Sequence, residues 1–89
     1  MMRILAVDDD PVILDLLTGC LTENDQFELV CCESSEEALE MIRTAKQPFD
    51  SFLLDIMLPG VSGIELCKIV RGKPEHRTTP VIMITASKE

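Results

Sequence analysis

Two adjacent aspartates, Asp8 and Asp9, a third at Asp55, and a threonine at Thr85 each fall where an apolar run stops. Ile4-Leu5-Ala6-Val7 leads into the first pair, Phe52-Leu53-Leu54 into Asp55, and Val81-Ile82-Met83-Ile84 into Thr85. Carboxylates gathered in one place repel. Two unit charges about 4 Å apart cost about 1 kcal/mol in water and about 4 kcal/mol at an effective dielectric near 20. Such a group is tolerated when its pKa values rise or when a cation neutralises it. Oxygen donors without His or Cys suit Mg²⁺ or Ca²⁺ and not zinc. Mg²⁺ usually takes one or two protein carboxylates, keeps several waters and binds substrate phosphate in the remaining positions. The expected chemistry is therefore phosphoryl transfer, with Asp55 as a carboxylate nucleophile that becomes an acyl phosphate. No single residue makes this case. Asp10 reads as a helix cap, an acidic pair or a strand-end aspartate also begins ordinary turns, and threonine is common in strands. The joint placement carries it.

The elements that would bring these residues together alternate between two periodicities. Ile4–Val7 is a continuous apolar run, as in a strand buried on both faces. Asp10 then caps a helix whose first position is Pro11, where the missing N–H costs nothing. Ile13, Leu16, Leu17, Cys20 and Leu21 follow at helical spacing, and Glu23-Asn24-Asp25 closes the segment. Phe27 to Cys32 reads as a second strand. Ser34 with Glu37 forms a capping box for a second helix, with Ala38, Met41, Ile42 and Ala45 on one face, and Gln47-Pro48 ends it. Phe52-Leu53-Leu54 is a third strand. The loop Ile56–Val61 leads through Ser62-Gly63 to a third helix carrying Ile64, Cys67 and Val70, capped by Gly72 and stopped by Pro74. Val81–Ile84 is a fourth strand. The order βαβαβαβ with apolar strands predicts one α/β domain over residues 1–89, a parallel sheet covered by helices. Ligands of such sheets bind outside the carboxyl ends of the strands, where the strand order reverses. Asp8, Asp9, Asp55 and Thr85 all fall there.

Composition limits the function classes. The chain has 89 residues, 46% hydrophobic and 27% charged, which suits one globular domain. Its formal charge of −8, sixteen acids against eight bases, argues against direct nucleic-acid binding, because phosphate contacts need a positive face. No apolar run reaches the roughly 20 residues of a membrane span, and the N-terminus does not read as a signal peptide. A soluble, cytoplasmic protein is expected. Lys68, Arg71, Lys73, His76 and Arg77 read as a solvated helix end and loop rather than a partner-binding patch. Cys20, Cys31, Cys32 and Cys67 lack zinc-ligand spacing and read as buried free thiols.

Three segments carry a family resemblance: Ile4-Leu5-Ala6-Val7-Asp8-Asp9-Asp10-Pro11, Leu53-Leu54-Asp55-Ile56-Met57-Leu58-Pro59-Gly60-Val61-Ser62-Gly63, and Pro80-Val81-Ile82-Met83-Ile84-Thr85-Ala86. Together they resemble the receiver domain of two-component response regulators, along the whole chain. The resemblance implies a flavodoxin-like, doubly wound sheet of order 2-1-3-4-5. It implies that Asp55 accepts a phosphoryl group from a sensor histidine kinase or phosphotransfer protein. Asp8 and Asp9 would hold Mg²⁺ with Asp55 and the backbone carbonyl of Met57. The Thr85 hydroxyl would move toward the phosphate as the switch, controlling an output domain or partner. Apart from this phosphotransfer and slow loss of the phosphate, the domain is not expected to be an enzyme.

The sequence also departs from that family. Nothing after Glu89 supplies the fifth strand with its lysine, or the last two helices, and Lys88 does not match that lysine's place. The expected sheet is thus 2-1-3-4 in a receiver incomplete at its C-terminus, and the apolar strand left at the edge invites self-association. Two rivals use the same residues. Asp8-Asp9-Asp10-Pro11-Val12 fits the DxDxV pattern of haloacid-dehalogenase-type phosphatases, with Asp8 as nucleophile and Asp10 as general acid. That reading leaves Asp55 idle and finds no room for an insertion before the helix at Pro11. The other rival is a receiver-like interaction module that takes up no phosphate.

Overall fold

The computed structural model describes residues 1–23 and 25–84. Four strands and three helices alternate: β1 (Met2–Val7), α1 (Pro11–Leu21), β2 (Phe27–Cys32), α2 (Ser35–Thr44), β3 (Ser51–Asp55), α3 (Gly63–Arg71) and β4 (Val81–Ile84), with a 3₁₀ turn at Pro74–His76. Every strand pairing is parallel and the order is β2-β1-β3-β4, the flavodoxin-like arrangement expected from the resemblance. The chain leaves β1 for β2 on one side and returns to β3 on the other. The order therefore reverses between β1 and β3, and a crevice opens at their carboxyl ends.

The helix starts follow from local side chains. The Asp10 carboxylate accepts the Val12 N–H at 3.0 Å, with Pro11 in the first turn of α1. At α2 the Glu37 N–H donates to Ser34 Oγ at 3.1 Å, and the Glu37 carboxylate accepts the Glu33 N–H at 2.9 Å. The capping box thus forms with its return bond one residue upstream of the cap. Gly72 ends α3 as expected, in right-handed rather than left-handed conformation, its N–H reaching back to the last-turn carbonyls.

Strand alternation sorts the core. Leu5, Val7, Phe52 and Leu54 point to one face and pack with Ala38 and Ile42 of α2 and Leu66 and Val70 of α3. Ile4 and Ala6 point the other way and are also buried, which accounts for the unbroken apolar run of β1.

Several helix faces differ from the sequence expectation. In α1 the buried residue is Leu14, whereas Leu16 and Cys20 are exposed. Val12, Ile13, Leu14, Leu16 and Leu17 make this helix apolar nearly all round, so periodicity could not select the inward face. In α2 Ala38 and Ile42 are buried but Met41 is exposed. In α3 Leu66 and Val70 are buried, Cys67 is half-buried, and Ile64 is exposed. Of the four cysteines, Cys32 is buried, Cys67 half-buried, and Cys20 and Cys31 exposed, so only part of the buried-thiol reading holds. Burial, and then Glu37, push the Cys32 thiol up to about 12.

The basic stretch is the largest departure. His76, expected in a solvated loop, is 1% exposed. Its ring meets Phe52 edge-on, with centroids 4.8 Å apart at 80°, and Nδ1 lies 3.0 Å from Thr79 Oγ1. Arg71 is half-buried and donates to the carbonyls of His76, Arg77 and Thr79, fixing the turn that leads into β4. Among the described residues no helix is long and apolar enough to cross a membrane.

Candidate phosphoacceptor and metal site

Asp8 is the first residue beyond β1, and Asp55 is the last of β3. Val7 pairs with Leu54, so the two aspartates leave neighbouring strands at one level, on either side of the crevice. The Asp8 N–H donates to the Cys32 carbonyl at 3.1 Å, and the Ile56 N–H to the Ile84 carbonyl at 3.1 Å. The sheet's ladder thus fixes the backbone on both sides of the pair. Asp8 and Asp55 are each 3% exposed, while Asp9 is exposed. One carboxylate oxygen from each of Asp8, Asp9 and Asp55 lies within 4.8 Å of the others.

Each buried carboxylate is held in the same way. Asp8 Oδ1 accepts the Asp10 N–H at 2.9 Å, and Asp55 Oδ1 accepts the Met57 N–H at 3.1 Å. An aspartate that bonds the N–H two residues on forms an Asx turn. In both residues Oδ1 is thereby engaged with backbone. Burial raises the Asp8 pKa, the Asp10 N–H pulls it down, and the charges of Asp55, Asp9 and Asp10 raise it further. A buried carboxylate that resists ionisation, beside two further carboxylates and no basic ligand, fits a hard divalent cation. The donor set is all oxygen, as Mg²⁺ requires.

Two residues that the sequence reading did not assign to the site position this rim. A Cβ on Gly63 would stand 2.1 Å from the Asp55 carbonyl oxygen and 2.9 Å from Ile56 Cα. Only glycine lets the start of α3 pack against the end of β3, and its N–H donates to the Ile56 carbonyl at 3.2 Å. Ser35 is fully buried, and its hydroxyl donates to the Val61 carbonyl at 2.6 Å, tying the start of α2 to the β3–α3 loop. Gly63 was visible as a glycine opening a helix. Ser35 carried no signal beyond standing next to a cap.

The expected site residues are thus placed as follows. Asp8, Asp9 and Asp55 converge. Met57 lies in the loop after β3, 68% exposed, with its N–H on Asp55. Thr85 lies outside the described residues, although Ile84, directly before it, pairs with Asp55. Asp10 is engaged as the α1 cap, and the helix begins directly at Pro11, which leaves the phosphatase reading no insertion after β1.

Comparison with known proteins gives one consistent picture. The family model described as response regulator receiver domain matches residues 4–89. The signal transduction histidine-protein kinase BarA of Shigella flexneri is 40% identical over 85 residues, which are 96% of this chain and 9% of that protein. The phosphate regulon transcriptional regulatory protein PhoB of Rhizobium meliloti is 40% identical over 89 residues, all of this chain and 38% of that protein. The chain therefore spans well under half the length of these curated relatives. Among solved structures, Vibrio cholerae chemotaxis protein CheY4 superposes with a TM-score of 0.87 at 29% identity, covering 100% of this chain and 72% of that one. A response regulator from Chloroflexus aurantiacus, described as putative, reaches 0.85 at 36% identity, covering 99% and 70%.

Proposed function

Because the chain belongs to the response regulator receiver domain family, we propose that its carboxyl-end rim is the phosphoacceptor site, with Asp55 as the residue that takes up phosphate. The family is one of signalling domains rather than classical enzymes. The observation that carries the assignment is the meeting of Asp8, Asp9 and Asp55 at the reversal point of the sheet. A carboxylate oxygen of Asp55 attacks the phosphorus of a phosphohistidine on a sensor kinase or phosphotransfer protein. The P–N bond breaks, the imidazole takes up a proton, and an acyl phosphate remains on Asp55. Asp8, Asp9 and Asp55, with the Met57 carbonyl, would hold Mg²⁺. When bound, that ion neutralises the carboxylates and the charge on the transferring phosphoryl oxygens.

The protein's own residues supply the rest. The Met57 N–H holds Asp55 Oδ1, which orients the carboxylate, and Gly63 keeps the end of β3 against α3. Thr85, next in the chain after the residue paired with Asp55, would answer the new charge and pass the switch to an output domain or partner. Location in the cytoplasm and the absence of direct DNA contact belong to the same proposal. So does self-association along β4, one of the two outer strands among the described residues, where Ile82 is 55% exposed. A concentration-independent monomer in light scattering would remove that last element alone.

The assignment is tested by incubating the protein with Mg²⁺ and acetyl phosphate, then locating added phosphate by intact mass and peptide mapping. Label on Asp55, abolished by Asp55→Asn, is the expected result. Label on Asp8 would favour the phosphatase reading, and no label the interaction module.

A further inference from the structure

The loop between β3 and α3, residues 56–62, carries Met57 at the acidic rim, and its base is closed. The Met57 N–H lies on Asp55 Oδ1, and the Gly63 N–H returns to the Ile56 carbonyl at 3.2 Å. Leu58 is buried and belongs to the core. It precedes Pro59, which biases its backbone to extended conformation, and the pyrrolidine ring fixes φ at Pro59 itself. Gly60, at φ +75°, is then the residue of this loop with the widest backbone freedom.

The first turn of α2 takes that freedom away. Ser35 is fully buried, and its hydroxyl donates to the Val61 carbonyl at 2.6 Å. Among the described residues this is the one hydrogen bond that reaches residues 58–61 from another element. Val61 also packs against the core, and a Cβ on Gly60 would stand 3.3 Å from Glu36 Oε1. Ser35 and its neighbour Glu36 thus both bear on the loop beside the glycine. Turning the Val61 peptide would leave the Ser35 hydroxyl buried without an acceptor, which costs more than an ordinary hydrogen bond contributes. The bond therefore holds the loop in one backbone arrangement.

We propose that Ser35 is a positioning residue for the cation: by holding the Val61 carbonyl it fixes the β3–α3 loop, and with it the direction of the Met57 carbonyl. Ser35 touches neither ion nor phosphate and acts through the loop alone. The inference rests on the Mg²⁺-assisted phosphoacceptor reading of the rim. Its effect is selective, because the backbone around Asp8 and Asp55 is fixed by the sheet ladder without help from Ser35. Loosening the loop weakens the hold on the ion and leaves the acceptor carboxylate in place.

The test is the rate of phosphate uptake from acetyl phosphate by the full chain as Mg²⁺ is varied, with metal affinity read separately from Mn²⁺-induced amide broadening. Ser35→Ala should need about tenfold more of either ion, the low end for groups that orient metal ligands, and reach the native rate once Mg²⁺ saturates. The Met57 amide resonance should shift in this variant with no ion present. Met41→Gly is the control, an exposed change inside α2 that weakens the helix and leaves the Ser35 bond intact. It should keep the native Mg²⁺ requirement. A native requirement in Ser35→Ala, or an equal rise in Met41→Gly, would overturn the proposal and leave Asp55 as the acceptor. No label on the native chain would remove the phosphoacceptor site itself, and this role with it.

Discussion

The two ends of the sheet are built on opposite rules. At the amino end, unlike groups are paired. The Arg3 guanidinium reaches the Glu28 carboxylate at 3.4 Å and the Gln47 carbonyl at 2.9 Å, and lies 4.6 Å from the centre of the Phe49 ring. The Arg3 N–H donates to the Asp50 carboxylate at 2.7 Å, and Arg71 and His76 tie down the turn before β4. At the carboxyl end, like charges are gathered, two of the three carboxylates buried. Packing and complementary charge stabilise the first end. The second is under electrostatic stress that only an external cation or proton relieves. The contrast teaches where this small domain holds its stability and where it gives some up for function.

Substitutions at the two ends should therefore behave differently. The largest effect is expected at the packed end. Phe52 is fully buried between Phe49 and His76, and Phe52→Ala should cost about 3–5 kcal/mol in urea unfolding, with no recovery on adding Mg²⁺. Recovery by Mg²⁺ would break the division between the ends.

Next comes the junction beneath the rim. Gly63→Ala forces a methyl group into the Asp55 backbone, and should cost about 1–3 kcal/mol while lowering phosphate uptake on Asp55. Lost stability with full uptake would show that Gly63 packs the helix without positioning the carboxylate.

The smallest change in stability, and the most informative in sign, is at Asp8. Its folded-state pKa lies above the ordinary carboxylate value. Its contribution therefore favours the fold at pH below that ordinary value and is lost as pH rises through the folded one. Without divalent ions, Asp8→Asn should stabilise the protein by about 1 kcal/mol at neutral pH and flatten the acid side of its stability profile. With Mg²⁺ present the gain should vanish, because the variant loses a ligand that the native chain keeps.

Much of this was legible in the sequence, for identifiable reasons. Ile4–Val7 of β1 is buried on both faces and appears as an unbroken apolar run, and the bounds of Phe27–Cys32 and Val81–Ile84 were legible to the residue although Glu28 and Ile82 are exposed. Asp10-Pro11 and Ser34 with Glu37 are cap chemistry that acts within a few residues, and both caps form. The acidic group was readable because each aspartate closes an apolar run. The inward faces of α1 and α3 were not, since Leu16 and Ile64 are as apolar as the residues that pack inward. Nor was His76, whose burial depends on Phe52, twenty-four residues earlier, and on Thr79 closing over Nδ1. Contacts that span elements leave no periodic trace.

The most direct test of the central claim is to titrate the protein with Mn²⁺, a paramagnetic stand-in for Mg²⁺ at oxygen sites, and follow amide line-broadening. Broadening that saturates at one equivalent, is centred on residues 8–10 and 55–57, and disappears in Asp8→Asn is the predicted result. Broadening spread equally over the exposed acids Glu33, Glu36, Glu37 and Glu40, or absent from the rim, would contradict it.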